Sequence, residues 1–278
     1  MCELWPLGTG ARAIRPRRGR DLGRRRVLRA GLLLLLAGPR ARAAEEAPDA
    51  EIRPEPFEGP GPATLTLPAS RRDGPVPAVA LLHDSLGPDP RGEPYARQLL
   101  GAGIAVLEVL ADPVAEPALL AMLHALAADR RVDAARLGVL GFGQGAAAAM
   151  SAALPVAARA LLYPGCAGLT EAAARRAGGW AGAPVLVLHG DADRASPPAS
   201  CAAAVEALGR AGARVRRVLY RGASYAWDHP GFGTEGGVLL PAPEGAPGDG
   251  RVKAQPWPAL TAASAGTVAG FFARELVP

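Results

Sequence analysis

Gly138-Val139-Leu140-Gly141-Phe142-Gly143-Gln144-Gly145 decides how this chain is read. An apolar run enters a turn with glycine at every second position, and an alanine-rich stretch, Gly145–Ala153, follows. This is the strand–turn–helix setting in which a G-x-S-x-G sequence forms a nucleophile elbow. The flanking glycines let the backbone turn sharply without a Cβ in the way. The centre of the elbow is Gly143, where such a turn would carry the attacking serine or cysteine. The competing reading is a dinucleotide-binding turn, since Gly141, Gly143 and Ala146 imitate its spacing. That reading needs an acidic residue about 20 positions on, and residues 150–170 contain no Asp or Glu.

Outward from the turn, apolar β-type runs alternate with helical ones. Strands are expected at Thr64–Leu67, Ala78–Leu82, Ile104–Leu110, Leu137–Phe142, Ala158–Tyr163, Val185–Leu188 and Val215–Tyr220. Several are continuous apolar runs, as strands covered on both faces require. Helices are expected at Tyr95–Gly101, Glu116–Asp129, Gly145–Ala153, Pro197–Gly209 and Thr267–Leu276. Strand–helix alternation through one core predicts an α/β fold with a mostly parallel, doubly wound sheet and helices on both faces. Residues 230–260 are rich in Gly and Pro and read as an irregular excursion near the carboxyl ends of the strands, where ligands bind in such folds.

The charge is unevenly distributed. Residues 1–43 hold 11 Arg and 2 acids, whereas residues 44–278 carry a net charge of −4. A mildly acidic body without a basic stripe argues against a nucleic-acid partner. The basic end has the order of an export signal. Arg24-Arg25-Arg26-Val27-Leu28-Arg29 resembles the twin-arginine pattern, five leucines at 32–36 form an apolar centre, and Ala41-Arg42-Ala43 offers a small-x-small cleavage site. The apolar run falls short of the roughly 20 residues that span a bilayer. The expected organisation is therefore a twin-arginine-type signal peptide over 1–43, a Pro/Glu-rich linker over 44–62 and one domain over 63–278, periplasmic or secreted, with no membrane anchor after cleavage. Cys166 and Cys201 would remain, either as a disulfide in an oxidising compartment or as two buried thiols.

Four further stretches, in order, resemble the dienelactone hydrolase family of the α/β-hydrolase superfamily. Val79-Ala80-Leu81-Leu82-His83-Asp84-Ser85 is similar to the strand and oxyanion loop, and Tyr163-Pro164-Gly165-Cys166 to a signature after a central strand. His189-Gly190-Asp191-Ala192-Asp193-Arg194-Ala195-Ser196-Pro197 resembles the loop whose triad Asp stands four residues before a Pro. Tyr220-Arg221-Gly222-Ala223-Ser224-Tyr225-Ala226-Trp227-Asp228 resembles the stretch that carries the triad His. The resemblance implies an α/β-hydrolase fold acting on small esters or lactones. It places the acid at Asp193, the nucleophile at Gly143, the base at Tyr225, and oxyanion or pocket residues at Asp84, Ser85 and Gln144.

Two of the three chemical parts are absent from those positions. Acyl transfer needs a nucleophile, a base within hydrogen-bond reach and donors for the oxyanion. Glycine has no side chain, and the tyrosine hydroxyl, with a reference pKa of about 10, is a poor base at neutral pH. In a serine protease, loss of nucleophile or base alone costs about 10⁶ in turnover. His229 could serve as a rescue base that activates water together with Asp193. Ser151, eight residues along a helix rising about 1.5 Å per residue, is too far to replace Gly143. His83 is expected to order its loop, and His124 to lie on a helix surface or in the core. His189, Asp191, Asp193 and His229 have donor atoms suited to a metal, but turn-shaping by Asp191 and the acid role of Asp193 account for them without one. No cofactor or metal is expected. Two readings follow: a non-catalytic or impaired family member with a small-molecule ligand, and an active hydrolase of small esters or lactones with a rebuilt site.

Overall fold

A computed structural model describes residues 53–69, 74–111, 116–151, 156–175, 180, 182–231 and 237–277. The twin-arginine segment, residues 1–43, and residues 44–52 of the 44–62 linker lie outside these residues. The seven anticipated strands are all present, as β2 (Ala63–Thr66), β3 (Val76–Leu82), β4 (Ala105–Val109), β5 (Val132–Phe142), β6 (Ala158–Leu162), β7 (Pro184–Gly190) and β8 (Arg214–Tyr220). An eighth, β1 (Glu55–Pro56), pairs antiparallel with β2 inside the stretch read as a linker. Two residues carry no periodic pattern of their own; only the partner strand makes β1 visible.

The sheet order is β1-β2-β4-β3-β5-β6-β7-β8. β3 to β8 are mutually parallel, and β2 runs antiparallel to β4. Strand alternation divides the core into two layers. Leu82, Leu107, Val139, Leu161 and Val187 face one cluster with α2 (Glu116–Ala128), α3 (Gln144–Ser151), α4 (Cys166–Arg175) and α5 (Pro198–Arg210). Leu81, Val106, Leu140, Leu162 and Leu188 face the other, beneath α1 (Glu93–Gly101) and α6 (Pro258–Leu276). The chain thus has the α/β-hydrolase arrangement, a mostly parallel sheet covered on both faces.

Three features depart from the sequence expectations. α4 occupies a stretch not read as helical; Gly168 and Thr170 weaken its intrinsic propensity, and the Cys166–Cys201 disulfide, with Cα atoms 4.8 Å apart, ties its first residue to α5. α6 begins nine residues before Thr267, at Pro258, a residue suited to a first helical position. Within the supposed irregular excursion, β9 (Val238–Pro241) and β10 (Arg251–Ala254) form an antiparallel ribbon. No helix among the described residues is long and apolar enough to cross a membrane.

Candidate functional site

The elbow forms where its glycines require it. β5 ends at Phe142, α3 starts at Gln144, and Gly143 between them has φ +49°. That region strains any residue with a Cβ. The neighbours are glycine for a different reason, close backbone approach: a Cβ on Gly141 would meet the Ala146 backbone at 2.5 Å, and one on Gly145 would meet the His83 carbonyl oxygen at 2.3 Å.

The tertiary structure brings the three expected triad positions together. A Cβ on Gly143 would lie 2.0 Å from the Tyr225 hydroxyl and 2.4 Å from Asp84 Oδ1. Tyr225, fully buried, has its phenol pushed well above the usual range by burial, then by the Asp84 and Asp193 carboxylates. It therefore stays a neutral donor and sits in the field of the acid position. The space of an elbow side chain is filled by two other residues.

Asp84 closes the remaining part. Its Oδ1 accepts the amides of Ser85 (2.8 Å) and Gln144 (3.0 Å), and its Oδ2 accepts the Tyr225 hydroxyl (2.6 Å) and Arg91 Nη1 (3.2 Å). An oxyanion hole of this fold consists of the amide after the nucleophile and one from the loop after the strand corresponding to β3. Both such amides point at a carboxylate of the chain itself. A carboxylate has about four acceptor positions, and the four donors fill them. The resulting cluster is 97% buried at Asp84.

Behind Asp84 the polar groups continue inward. Arg91, 1% exposed, grips Asp89 through Nε and Nη2. Burial raises the Asp89 pKa, but the Arg91 charge and hydrogen bonds outweigh it and hold the carboxyl below its usual value. Tyr163 and Tyr95 donate to the two oxygens of Asp228, at 2.6 and 2.7 Å, and Ser264 Oγ links Tyr95 to Trp227 Nε1. Burial pushes the Asp228 pKa up to about 6 despite Arg91 and the two phenols. Tyr163, at φ +38°, packs edge-on against Tyr225 and Trp227. Arg91, Tyr95 and Ser264 belong to no motif, so sequence reasoning passed over them. Asp228 ends the Tyr220–Asp228 stretch, and nothing in its local sequence marks it as the acceptor of two buried phenols.

The other candidates separate. Asp193 Oδ1 accepts the Ala195 amide at 2.8 Å, and burial raises this carboxyl to about 6. Its Oδ2 is buried without a hydrogen-bond partner among the described residues. A base histidine would supply the donor this oxygen lacks. His229 Nδ1 accepts the Gly231 amide at 3.2 Å; burial lowers its pKa, and the charges that act on it are Arg91, Asp89 and Asp84 rather than Asp193. Gln144 reaches away from the elbow, accepting the Glu244 amide at 2.7 Å through Oε1. Ser85 contributes its amide, as expected, while its Oγ is buried without a hydrogen-bond partner among the described residues. His189 Nε2 accepts from Arg217, burial and that cation lower its pKa to about 4, and Asp191 accepts the Gly222 amide in a turn. Among the described residues no three His, Cys, Asp or Glu side chains are grouped to hold a metal ion. His83 pairs with Glu108 at 2.8 Å, and His124 lies exposed on α2.

Comparison with known proteins agrees with this fold. The model of the dienelactone hydrolase family matches residues 106–232. Similar solved structures include a dienelactone hydrolase-like promiscuous phosphotriesterase from metagenomic libraries, at 18% identity and TM-score 0.59, covering 81% of this chain and 98% of that one. The esterase domain of a Rhodothermus marinus protein is similar at 16% identity and TM-score 0.56, covering 81% and 99%. A Pyrobaculum calidifontis esterase is similar at 15% identity and TM-score 0.55, covering 83% and 88%. At these identities the structures attest the fold. No curated protein matches the chain.

Proposed function

We propose that this chain, a dienelactone hydrolase-family protein of the α/β-hydrolase superfamily, is an exported member that performs no acyl transfer at its elbow. The observation that carries the reading is Asp84 Oδ1, which accepts the Ser85 and Gln144 amides while Asp84 and Tyr225 fill the side-chain space of Gly143. Catalysis by this fold needs a nucleophile to attack and amides free to receive the developing oxyanion. Here the first has no atoms, and the second are engaged by an internal anion. A substrate carbonyl would have to displace a carboxylate held by four donors, then find nothing to attack it. Fold alone assigns no chemistry, so the family's ester and lactone substrates do not carry over. A small-molecule ligand is assigned outside the elbow.

Export rests on the twin-arginine-like segment, its apolar centre and the Ala41-Arg42-Ala43 site, and is supported by the Cys166–Cys201 disulfide, a bond at home in oxidising compartments. The periplasm, or the medium beyond it, is the proposed location.

The test is direct. Purified protein is exposed to a serine-reactive fluorophosphonate probe and to a panel of activated esters and lactones. The expected result is no labelling and hydrolysis at the buffer rate. Labelling, or turnover above buffer that disappears in His229→Ala, would overturn the reading in favour of a rebuilt site with Asp193 and His229.

A further inference from the structure

A hollow of about 400 Å³ lies between α1 and the edge of the sheet formed by β2, β4 and β3. This is within the range of small-molecule pockets, roughly 300–1,000 Å³. Leu81, Leu100 and Val106 give it an apolar floor, and all three are otherwise buried. Glu108 stands among them. β4 reads Ala-Val-Leu-Glu-Val, and the two-residue period puts Glu108 on the same face as Val106. Both line the hollow. A carboxylate inside a short apolar strand is disfavoured by strand propensity and by desolvation, so its placement calls for a partner.

The internal partner is incomplete. His83 Nε2 stands 2.8 Å from Glu108 Oε1, with the imidazole 1% exposed. A carboxylate only accepts, so Nε2 is the donor in this pair. Nδ1 is buried with no hydrogen-bond partner among the described residues. The ring abuts the wall of the hollow: a Cβ on Gly92, a lining residue, would come within 3.5 Å of His83 Cε1, the atom between the two nitrogens. Elsewhere on the rim the charges are matched. Asp89 is held by Arg91, and Glu93 by Arg97 at 2.6 Å. Glu108 is bonded to an imidazole rather than to a lysine or arginine and retains 36% side-chain exposure.

We infer that this hollow is a binding site for small organic ammonium ions, with the hydrocarbon body against Leu81, Leu100 and Val106 and the N–H groups donating to Glu108. The site is separate from the elbow, and its occupancy does not depend on whether the elbow hydrolyses anything. Apolar walls supply most of the contact area and one carboxylate supplies orientation, the usual division of labour in such pockets. A carboxylate or phosphate ligand would be repelled by Glu108, the other acids of the rim being paired with Arg91 and Arg97.

The experiment is a titration by calorimetry and saturation-transfer NMR with phenethylammonium chloride, 2-phenylethanol and 3-phenylpropionate. Their apolar bodies match and their heads differ in charge. The ammonium ion is expected to bind, with the alcohol and the carboxylate weaker by about tenfold or more, as a charge-assisted hydrogen bond implies. Glu108→Gln should abolish that preference by the same factor. Ala96→Trp, which fills the hollow without changing any charge, should remove binding of all three while far-ultraviolet circular dichroism is unchanged. Absence of ammonium binding, equal affinity for the carboxylate, or undiminished binding in either variant would overturn the inference. Neither substitution touches the elbow, so the ester assay and this titration fail or succeed independently.

Discussion

The Tyr225 hydroxyl donates to Asp84 Oδ2 at 2.6 Å, and the two side chains occupy the space that a Cβ on Gly143 would enter. The positions to which the family resemblance assigns the base and the oxyanion loop are thereby partners of each other. The pair spans 141 residues of sequence and is buried. A phenol kept neutral by burial thus donates to a carboxylate whose acceptor positions are all taken, and several consequences follow from it.

Gly143→Ser should unfold more easily than the parent chain. The new Cβ enters at φ +49° and 2.0 Å from the Tyr225 oxygen. Overpacking of a filled site costs about 1–3 kcal/mol, and chemical denaturation with a two-state fit reads the loss. Pairing it with Tyr225→His should still yield no esterase, because Asp84 Oδ1 stays 2.4 Å from the Cβ position and keeps both amides. Asp84→Ala is the further change that would free the two amides. Ester turnover by the double variant would show that Asp84 moves aside.

Tyr225→Phe removes one donor from a buried carboxylate and leaves the ring packing against Tyr163 in place. The expected cost is about 1–3 kcal/mol. A stability change below about 0.5 kcal/mol, within the range of a neutral surface substitution, would mean that the contact contributes little to folding.

The pH dependence should carry the mark of two buried acids. Asp193 and Asp228 titrate near 6 when folded, against an unfolded value of 3.8, because burial disfavours their charged forms. A folded pKa above the unfolded one means the native state binds the extra proton. Each acid therefore contributes stability that is complete below about 3.8 and is lost as pH rises through about 6. His189 works in the opposite direction over the same range. Its folded pKa is lowered to about 4, so its contribution is present above 6.5 and disappears as the solution is acidified towards 4. The net curve is a sum of these, and the clean reading is a difference. Asp193→Asn should gain on the parent chain as pH rises from 4 to 7, followed by thermal melts across that range. A difference that does not vary with pH would show that Asp193 titrates normally in the folded protein.

The disulfide closes a loop of 35 residues between the first turn of α4 and α5. The chain-entropy account gives about 3–4 kcal/mol for such a loop. Reduction, or the Cys166→Ser and Cys201→Ser double variant, should lower the melting temperature accordingly. Cys201 Sγ also contacts the Ser196 carbonyl, and Ser196 Oγ accepts the Gly165 amide. Loosening should therefore reach the Asp193 loop first, readable as faster amide hydrogen exchange at residues 193–196. Uniform exchange throughout the domain would argue against a local clamp.

Much of the architecture was legible without coordinates. Continuous apolar runs such as Val185–Leu188 fit strands covered on both faces, and the glycine spacing from 141 to 145 pointed to the elbow. The helix at Cys166–Arg175 and the ribbon at Val238–Pro241 with Arg251–Ala254 were not legible. Their local sequences are ambiguous, and tertiary partners decided their conformation. The Glu108–His83 pair was equally silent: a glutamate in an apolar run carries no sign of which histidine will meet it.

The sequence by itself determined what is missing. Gly143 has no nucleophile and Tyr225 no imidazole, facts of covalent chemistry that folding leaves unchanged. Only the tertiary structure decided what stands in their place. Asp84 lies 60 residues from the Gln144 amide and 141 from Tyr225, and nothing local to any of the three foretells that one carboxylate will take both amides and the phenol. Those contacts arise where the ends of β3, β5 and the loop after β8 converge, because parallel strands bring their carboxyl ends to a common edge however far apart they lie along the chain.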